Sequence, residues 1–388
     1  MLQLLGAENP ISSNPIISLI IMYLPLALLI LYGQRLQTWM ILNDVSRAVG
    51  KLKVMKEKSR EDAIEYVSNG KKSDELTSKL DQIFEYFTIM PVDMDPAGII
   101  NKVEHVMVLR DERMRNEIEK LAPDVDSVKS SSMEGVVEIA ASFNMIYKIV
   151  RHFYLVGKKT TSMFVLAQLQ MIMPMILSEA EALNGAMKAF KNSQPIGDGI
   201  GPMVVGNLML EHEKKTIAKD TVYSEGKING RNAYFMTAKG PEANVGQPGT
   251  AMKKLVEEMK IKPNAIIMID AALKLEGEKT GEIAEGIGAA IGGIGVDRFK
   301  IEEVAVNNSI PIYAIVIKQS ILDAISAMRK EIAESKDKVN ESLNRVINER
   351  TKEGDTVIIV GVGNTCLLYT SDAADERSSV DLGGRRII

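Results

Sequence analysis

The hydrophobic pattern of this chain changes in kind about halfway along its length. In the first half, apolar residues recur at three- and four-residue spacing, as at Ile139, Phe143 and Ile146, which is typical of amphipathic helices. In the second half, short β-branched runs alternate with helical stretches, as expected of an α/β sheet. The sequence therefore predicts an all-α domain over residues 36–190 and an α/β domain over residues 191–365. Within the α/β domain we expect a helix over residues 202–215, a hairpin at Asn229-Gly230 and a long helix from Ser320 to about Arg350.

An uncharged apolar run precedes the helical domain. Residues 16–32 form 17 consecutive residues without charge, long enough to span a bilayer. No lysine or arginine precedes them, whereas Arg35 and Arg47 begin a basic stretch after them, so the positive-inside rule puts the remainder in the cytoplasm. We expect residues 1–35 to anchor a single-pass protein in the cell membrane, with the membrane as a partner. A buried core helix is the alternative.

A second apolar segment lies in the helical domain. Residues 163–177 are apolar on nearly every face, but the segment is shorter than a spanning helix and contains Gln168, Gln170 and Pro174. These features favour a buried, kinked core helix over a second membrane pass.

The last 23 residues, 366–388, resemble the translation of a transposon-type sequencing adapter, and we treat them as not native. They hold the only cysteine, Cys366, and four acidic against three basic residues, so the formal charge of −4 becomes −3 without them. Residues 1–365 therefore contain no disulfide, zinc-thiolate site or cysteine nucleophile. This charge gives no electrostatic reason to expect nucleic acid as a partner.

A metal or cofactor is not expected either. The three histidines, His105, His152 and His212, show no ligand spacing, which disfavours a transition-metal site.

Two aspartates are the best candidates for chemistry. Asp198 lies in the glycine-rich stretch 197–202, just before a predicted helix, where capping of that helix is the structural alternative. Asp270 closes a β-branched run that predicts a strand over residues 265–270, and open α/β sheets bind ligands at the carboxyl ends of their strands. A carboxylate left unpaired near a core is costly. Both are therefore assigned as catalytic candidates.

Glycines surround both aspartates and the last predicted strand. The stretch 276–295 is predicted to be a glycine-rich loop whose N–H groups approach a substrate or anion, with a flexible lid as the alternative. Residues 361–365 follow the last strand and are expected to line the same crevice. The candidates for backbone or substrate binding are Gly199, Gly201, Gly292, Gly293, Gly361, Gly363 and Asn364.

Five short motifs carry a family resemblance. They are Pro91-Val-Asp-Met-Asp-Pro96, Ile149-Val-Arg-His-Phe153 and residues 197–202, 269–277 and 361–365. Over residues 1–365 the chain resembles an archaeal family of membrane-anchored proteins, domain of unknown function fifteen-twelve. The family label implies no activity.

The α/β domain has a more distant resemblance to the spore germination protease and the hydrogenase maturation proteases. Those proteins share a phosphorylase-like sheet flanked by helices, with a strand ending Gly-x-Gly-Asn, as at residues 361–364, before an acidic, glycine-rich helix start like that at Asp198. A later strand ends Ile-Asp-Ala, as at residues 269–271. Because the first of these strands comes last here, the resemblance implies a circular permutation. Residues 317–320 lack the metal-binding histidine of the hydrogenase proteases, which favours the metal-free, two-aspartate pattern.

These features together predict a membrane-anchored, metal-independent two-aspartate hydrolase that acts on a peptide or protein. In this hypothesis Asp198 and Asp270 share a proton, since two nearby carboxylates do not both ionise cheaply. The alternative is a noncatalytic membrane-anchored module that binds a nucleotide, a phosphate or protein partners. The sequence leaves the oligomeric state open.

Overall fold

A computed structural model describes residues 15–91, 98–293, 295–366 and 368. Most of the motif at residues 91–96, and all but Cys366 and Leu368 of the adapter-like tail, lie outside these residues. The chain forms two compact units, one of Met1–Val54 with Ile146–Leu177 and the other of Met55–Met145 with Ser178–Ile388. The division into domains near residue 190 stays a prediction.

The amino-terminal half is helical, as the spacing of its apolar residues predicts. The helices are α1 (Pro15–Ser68), α2 (Asp74–Ile83), α3 (Ile99–Leu121), α4 (Ser127–Thr160) and α5 (Met163–Lys191). A side-chain cap fixes the start of α2: the Ser73 hydroxyl accepts a hydrogen bond from the Leu76 N–H at 3.1 Å, which satisfies one of the free N–H groups in the first turn.

Residues 16–32 lie within α1, and their role as an anchor stays a prediction. Among the described residues, one helix, α5, is apolar and long enough to cross a bilayer. This property is shared by the core helices of soluble proteins and indicates membrane association only weakly. The prediction that residues 163–177 form a buried core helix is wrong, because Met171 and Met175 on α5 are exposed whereas Leu166 and Leu169 are buried.

The carboxyl-terminal half is a mixed α/β structure. Its elements are α6 (Ile200–Leu208), β1 (Lys215–Ala218), β2 (Thr221–Ile228), β3 (Arg231–Ala238), α7 (Pro248–Lys253), β4 (Ala265–Leu273), β5 (Ile283–Ile287), α8 (Val296–Asn307), β6 (Ile312–Gln319), α9 (Ile321–Ile325), α10 (Lys330–Ala333), α11 (Ser335–Arg350) and β7 (Thr356–Gly361). A 3₁₀ turn, Gly197–Gly199, leads into α6, and a π-helical turn, Lys254–Glu258, continues α7.

The seven strands form one sheet in the order β1-β2-β3-β7-β4-β6-β5. The four central strands, β3, β7, β4 and β6, are parallel, whereas β1 and β2 at one edge and β5 at the other pair antiparallel. The predicted Asn229-Gly230 hairpin joins β2 to β3, and both of its residues have positive φ, which suits the right-handed twist of the strands.

Both faces of the central strands are buried, as is usual for parallel strands. On β4, Ile267 and Ile269 face a core that includes α6 and α11, and Ile266 and Met268 face a second core that includes α7 and α8. This alternation follows from the two-residue period of a strand. Full burial of each such side chain contributes about 1.5–3 kcal/mol.

Three predicted elements differ from the structure. The glycine-rich loop contains the strand β5, which pairs with β6. The helix predicted over residues 202–215 is shorter, because α6 ends at Leu208 and residue 215 opens β1. The long helix predicted from Ser320 to Arg350 is divided into α9, α10 and α11; Ser320 does start a helix, since it caps α9 with a reciprocal capping box.

Glycine is required where α6 meets the ends of β4 and β7. A Cβ on Gly201 would meet the carbonyl oxygens of Val362 and Ile269, so the backbones approach too closely for any side chain. Gly361 also has no room for a side chain, since a Cβ on it would lie 2.5 Å from the carbonyl oxygen of Gly201. These backbone oxygens are held in α6 and at the ends of the strands. Removing a clash with an added Cβ would therefore require the helix or the sheet to move.

We therefore expect Gly201→Ala to lower the free energy of unfolding by about 3 kcal/mol through overpacking. The matched control is Gly286→Ala on β5, whose Cβ would meet no heavy atom within 4 Å. Urea denaturation of both variants tests this expectation. Equal unfolding midpoints would show that α6 is not packed against the strand ends in this way.

Candidate active site

The parallel strands bring the predicted site residues to one edge of the sheet. The carboxyl ends of β7, β4 and β6 meet there, and the turn Gly197–Gly199 lies against them. The pairing of β4 with β7 ends at Ile269 with Gly361, whereas the pairing of β4 with β6 continues to Leu273. β7 ends before β4 does, so the end of β4 lies beside the turn Gly197–Gly199, at the crevice position where open α/β sheets place ligands.

Asp198 lies in the 3₁₀ turn at the mouth of this crevice. Its Oδ2 accepts a hydrogen bond from the backbone N–H of Asn364 at 2.8 Å. The capping alternative is therefore wrong as the main role of this carboxyl, because its hydrogen bond joins two segments distant in sequence. Asp198 as a residue is partly exposed, but burial of its carboxyl group raises the pKa, and the hydrogen bond from Asn364 offsets part of that rise.

Asp270 does not close its strand, contrary to the sequence prediction. It is the sixth of nine residues in β4 and lies one residue beyond the last pair with β7. The reason is that β6 extends β4 after β7 has diverged. Asp270 is 6% exposed, and its Oδ1 accepts from the N–H of Ala271 at 2.7 Å. The N–H of Gly292 also hydrogen-bonds to this carboxyl.

The two carboxyl groups interact electrostatically. Burial and then the nearby charge of Asp198 raise the pKa of Asp270 to about 8, against the smaller effects of the Ala271 and Gly292 N–H groups. Asp270 therefore holds a proton at neutral pH, which removes the cost of two buried like charges. Within the described part of the chain, no hydrogen bond joins the two carboxyls directly, and each is fixed by backbone donors.

The predicted glycines divide into two groups. Gly201, Gly361 and Gly363 pack against backbone: a Cβ on Gly363, whose φ is +137°, would meet the carbonyl oxygen of Asp198. Because their open side is filled by backbone oxygens, they make the close approach possible and do not form an open cradle for an anion. Gly199 belongs to the same group, since it packs against the Asn364 carbonyl oxygen.

Gly292 and Gly293 form the second group. Gly292 supplies an N–H to Asp270, and the predicted approach of this loop to a substrate or anion stays a prediction. A Cβ on either glycine would meet no heavy atom within 4 Å, and both residues are exposed. The loop is thus open on the side away from Asp270.

Two polar side chains beside the site were not predicted from the sequence. Gln319 at the end of β6 is 1% exposed, and its Nε2 donates to the Gly197 carbonyl oxygen at 3.0 Å. Its Oε1 is buried without a hydrogen-bond partner, which costs free energy unless a ligand or water supplies a donor. In the sequence, the signal for Gln319 is its position at the polar end of an otherwise apolar strand.

Asp323 is the second unpredicted residue, and it has the opposite electrostatic character. It accepts from the Thr280 hydroxyl at 2.8 Å and from Arg329 at 3.1 Å, besides capping α9. Burial raises its pKa, but the hydrogen bonds from Ser320, Thr280 and Arg329 together lower it below the ordinary value. Asp323 is therefore an ionised structural group, unlike Asp270.

Comparison with known proteins identifies both halves of the chain. The family model "Domain of unknown function (DUF1512) C-terminal" matches residues 196–368, and "Protein of unknown function (DUF1512) N-terminal domain" matches residues 19–193. The chain carries both domains of the DUF1512 family. No curated protein and no solved structure matches the chain.

The candidate site belongs wholly to the carboxyl-terminal DUF1512 domain, since Asp198, Asp270, Gln319 and Asn364 all lie within residues 196–368. Across the described residues, no group of three histidine, cysteine, aspartate or glutamate side chains is arranged to hold a metal ion.

The buried charge of Asp270 predicts a pH-dependent gain in stability on its removal. Its pKa of about 8 in the folded protein exceeds the ordinary value of about 4, so ionisation opposes folding, increasingly from about pH 4 up to about pH 8. We expect Asp270→Asn to raise the free energy of unfolding on the order of 2 kcal/mol at about pH 8 and to give no gain near pH 4.

Urea denaturation at the two pH values measures this difference. The exposed loop residue Asp124 supplies the control, because Asp124→Asn removes a solvated carboxylate and leaves the pH dependence unchanged. A parallel shift for both variants would contradict an enclosed Asp270.

Proposed function

We propose that this DUF1512 protein is a membrane-tethered hydrolase with a two-aspartate, metal-independent mechanism and a peptide or protein substrate. The observation that supports it most is the unequal pair: Asp270 with its pKa raised to about 8, beside Asp198. In hydrolysis the ionised carboxylate takes a proton from the attacking water, and the protonated carboxyl donates to the leaving group. We assign the first role to Asp198 and the second to Asp270, because the charge of Asp198 raises the pKa of Asp270.

The interaction between the two carboxyls supports this division of roles. The charge of Asp198 raises the pKa of Asp270, and the Asn364 N–H stabilises negative charge on Asp198. A mechanism with water between the carboxyls needs no direct bond between them. Gln319 positions the turn by holding Gly197, and its buried Oε1 offers an acceptor for a substrate N–H.

A cavity beside Asn364 supports a peptide as substrate. Its volume is about 300 Å³, and its lining is mixed, with apolar Val108 and Phe190, polar Asn244 and six charged side chains, among them Arg115 and Glu134. Mixed polar and apolar lining of this kind suits the amide groups and side chains of a short peptide segment. Asn364 joins the cavity to the site, since its N–H binds Asp198.

The rival noncatalytic function, binding of a nucleotide or phosphate, has less support. Gly361 and Gly363 are packed against carbonyl oxygens, which repel a phosphate group. Two carboxyls at the same edge would add to this repulsion on ionisation.

The direct test is hydrolysis of a quenched fluorescent peptide library by the purified full chain. We expect Asp198→Asn and Asp270→Asn each to lower the rate by about 100-fold or more, with both variants folded by circular dichroism. Asp124→Asn is the control and keeps full activity. Unchanged hydrolysis in either site variant would refute the mechanism, and thermal stabilisation by nucleotides without any cleavage would favour the rival.

The pH profile gives a second prediction. Because Asp270 donates its proton, kcat should fall as the pH rises through about 8, the pKa of this carboxyl. The rate is measured on the most rapidly cleaved peptide of the library. A rate that continues to rise above this pH would exclude Asp270 as the acid.

A further inference from the structure

One compact unit of the chain carries a net positive charge. The unit of Met1–Val54 and Ile146–Leu177 holds eight lysines and arginines and two acidic residues, Glu8 and Asp44, a net charge of +6. Because the whole chain has a formal charge of −4, all other residues sum to −10. The basic unit therefore differs sharply in charge from the remainder.

A helical hairpin forms part of this unit. The end of α4 and the start of α5 are joined by a tight turn at Thr161, whose φ is +51°. The Ser162 N–H donates to the Gly157 carbonyl oxygen at 3.1 Å, and a Cβ on Gly157 would meet Leu166, so the two arms are in contact. No acidic residue occurs from residue 139 to residue 178.

The outer surface of the hairpin is apolar and basic. Leu166 and Met173 are buried, whereas Phe164 is 71% exposed and Met171 75% exposed. Lys158 and Lys159 are exposed beside the turn. Clustered exposed apolar side chains next to basic ones are typical of surfaces that meet a membrane.

The depth of the hairpin follows from its length and one contact. Each arm has 15 residues within the unit, about 22 Å of helix, which is less than the bilayer core of about 30 Å. Gln170, midway along its arm, donates to Asp44 of α1 at 3.2 Å. Since α1 leaves the unit at Val54 and the arms leave it at Ile146 and Leu177, the tip lies toward the amino-terminal side of Asp44.

The tip lies half an arm beyond Gln170, about 10 Å along the helix. Measured along α1 from Asp44, the same distance reaches close to Trp39. Trp39 is 64% exposed and follows Tyr32, the last residue of the apolar run, by seven positions. If residues 16–32 cross the hydrocarbon core, Trp39 and the hairpin tip lie at the level of the lipid headgroups. Tryptophan and lysine are enriched at this depth in membrane proteins.

We propose that the hairpin tip, residues 153–164, docks on the headgroup region of an anionic bilayer. Phe153 and Phe164 insert their rings at the boundary, and Lys158 and Lys159 bind lipid phosphates. The proposal concerns lipid contact only, so its outcome is independent of whether the aspartates hydrolyse a substrate. A second copy of the chain on this face and a complete second pass by α5 are the competing arrangements.

Depth-dependent fluorescence quenching on the full chain in vesicles tests the proposal. Cys366 is the only cysteine, so Cys366→Ala permits single reporters at Phe164→Cys on the tip, Leu24→Cys in the apolar run and Val306→Cys on α8. Val306 is the matched control, because it is also apolar and is 77% exposed. The vesicles are phosphatidylcholine with or without phosphatidylglycerol, and the lipids carry spin labels on the headgroup or in mid-chain.

We expect the label at residue 164 to be quenched by the headgroup spin label, more strongly in anionic vesicles, and the label at residue 24 by the mid-chain spin label. The label at residue 306 should be quenched by neither. Anionic lipid should add to the quenching at residue 164, and the double variant Lys158→Glu with Lys159→Glu should lower this added quenching by about fivefold. The quenching at residue 24 should not change. The control pair Lys260→Glu with Lys262→Glu should leave both labels unchanged.

Three results would overturn the proposal. Quenching of residue 164 by neither spin label, as expected for residue 306, would place the tip in water. Quenching of residue 164 by the mid-chain label, equal to that of residue 24, would show that α5 crosses the bilayer. Protection of residue 164 that depends on protein concentration and not on lipid would assign the face to a second copy.

Discussion

The close approach of α6 to the ends of β4 and β7 is the constraint on which the candidate site depends. With no side chain on Gly201, Gly361 or Gly363, backbone meets backbone across this edge. The two carboxyls are therefore enclosed by the fold itself and not by a movable side chain. Loss of hydration then favours the neutral acid, and Asp270, whose pKa is raised further by the charge of Asp198, keeps its proton.

Burial alone does not produce a carboxyl of this kind, as Asp323 shows. Asp323 is as well buried as Asp270, yet side-chain donors and the charge of Arg329 lower its pKa. Asp198 and Asp270 receive backbone N–H groups and no cationic partner. The difference in donors separates a structural carboxylate from one able to exchange a proton near neutral pH.

Local signals predicted part of this architecture. The strand Arg231–Ala238 and its hairpin follow from β-branched residues and the Asn-Gly turn, and the glycines around Asp198 mark a helix start. Nonlocal contacts decided the rest. The strand β5 is set by pairing with β6, which no local propensity encodes. The predicted helix after Ser320 is interrupted where Ala327 bridges to Ile196 and the Met328 N–H donates to Pro195.

Net charge is a poor guide to the partners of a chain whose charges are segregated. A formal charge of −4 argues against a polyanion as partner when the charge is spread evenly. Electrostatic attraction to a surface, however, decays over a Debye length of about 8 Å at physiological salt. Only charged groups within this distance of the membrane surface contribute to the attraction, and at the hairpin tip these groups are basic. The acidic remainder opposes approach of the rest of the molecule, so attraction and repulsion together favour contact through the tip alone.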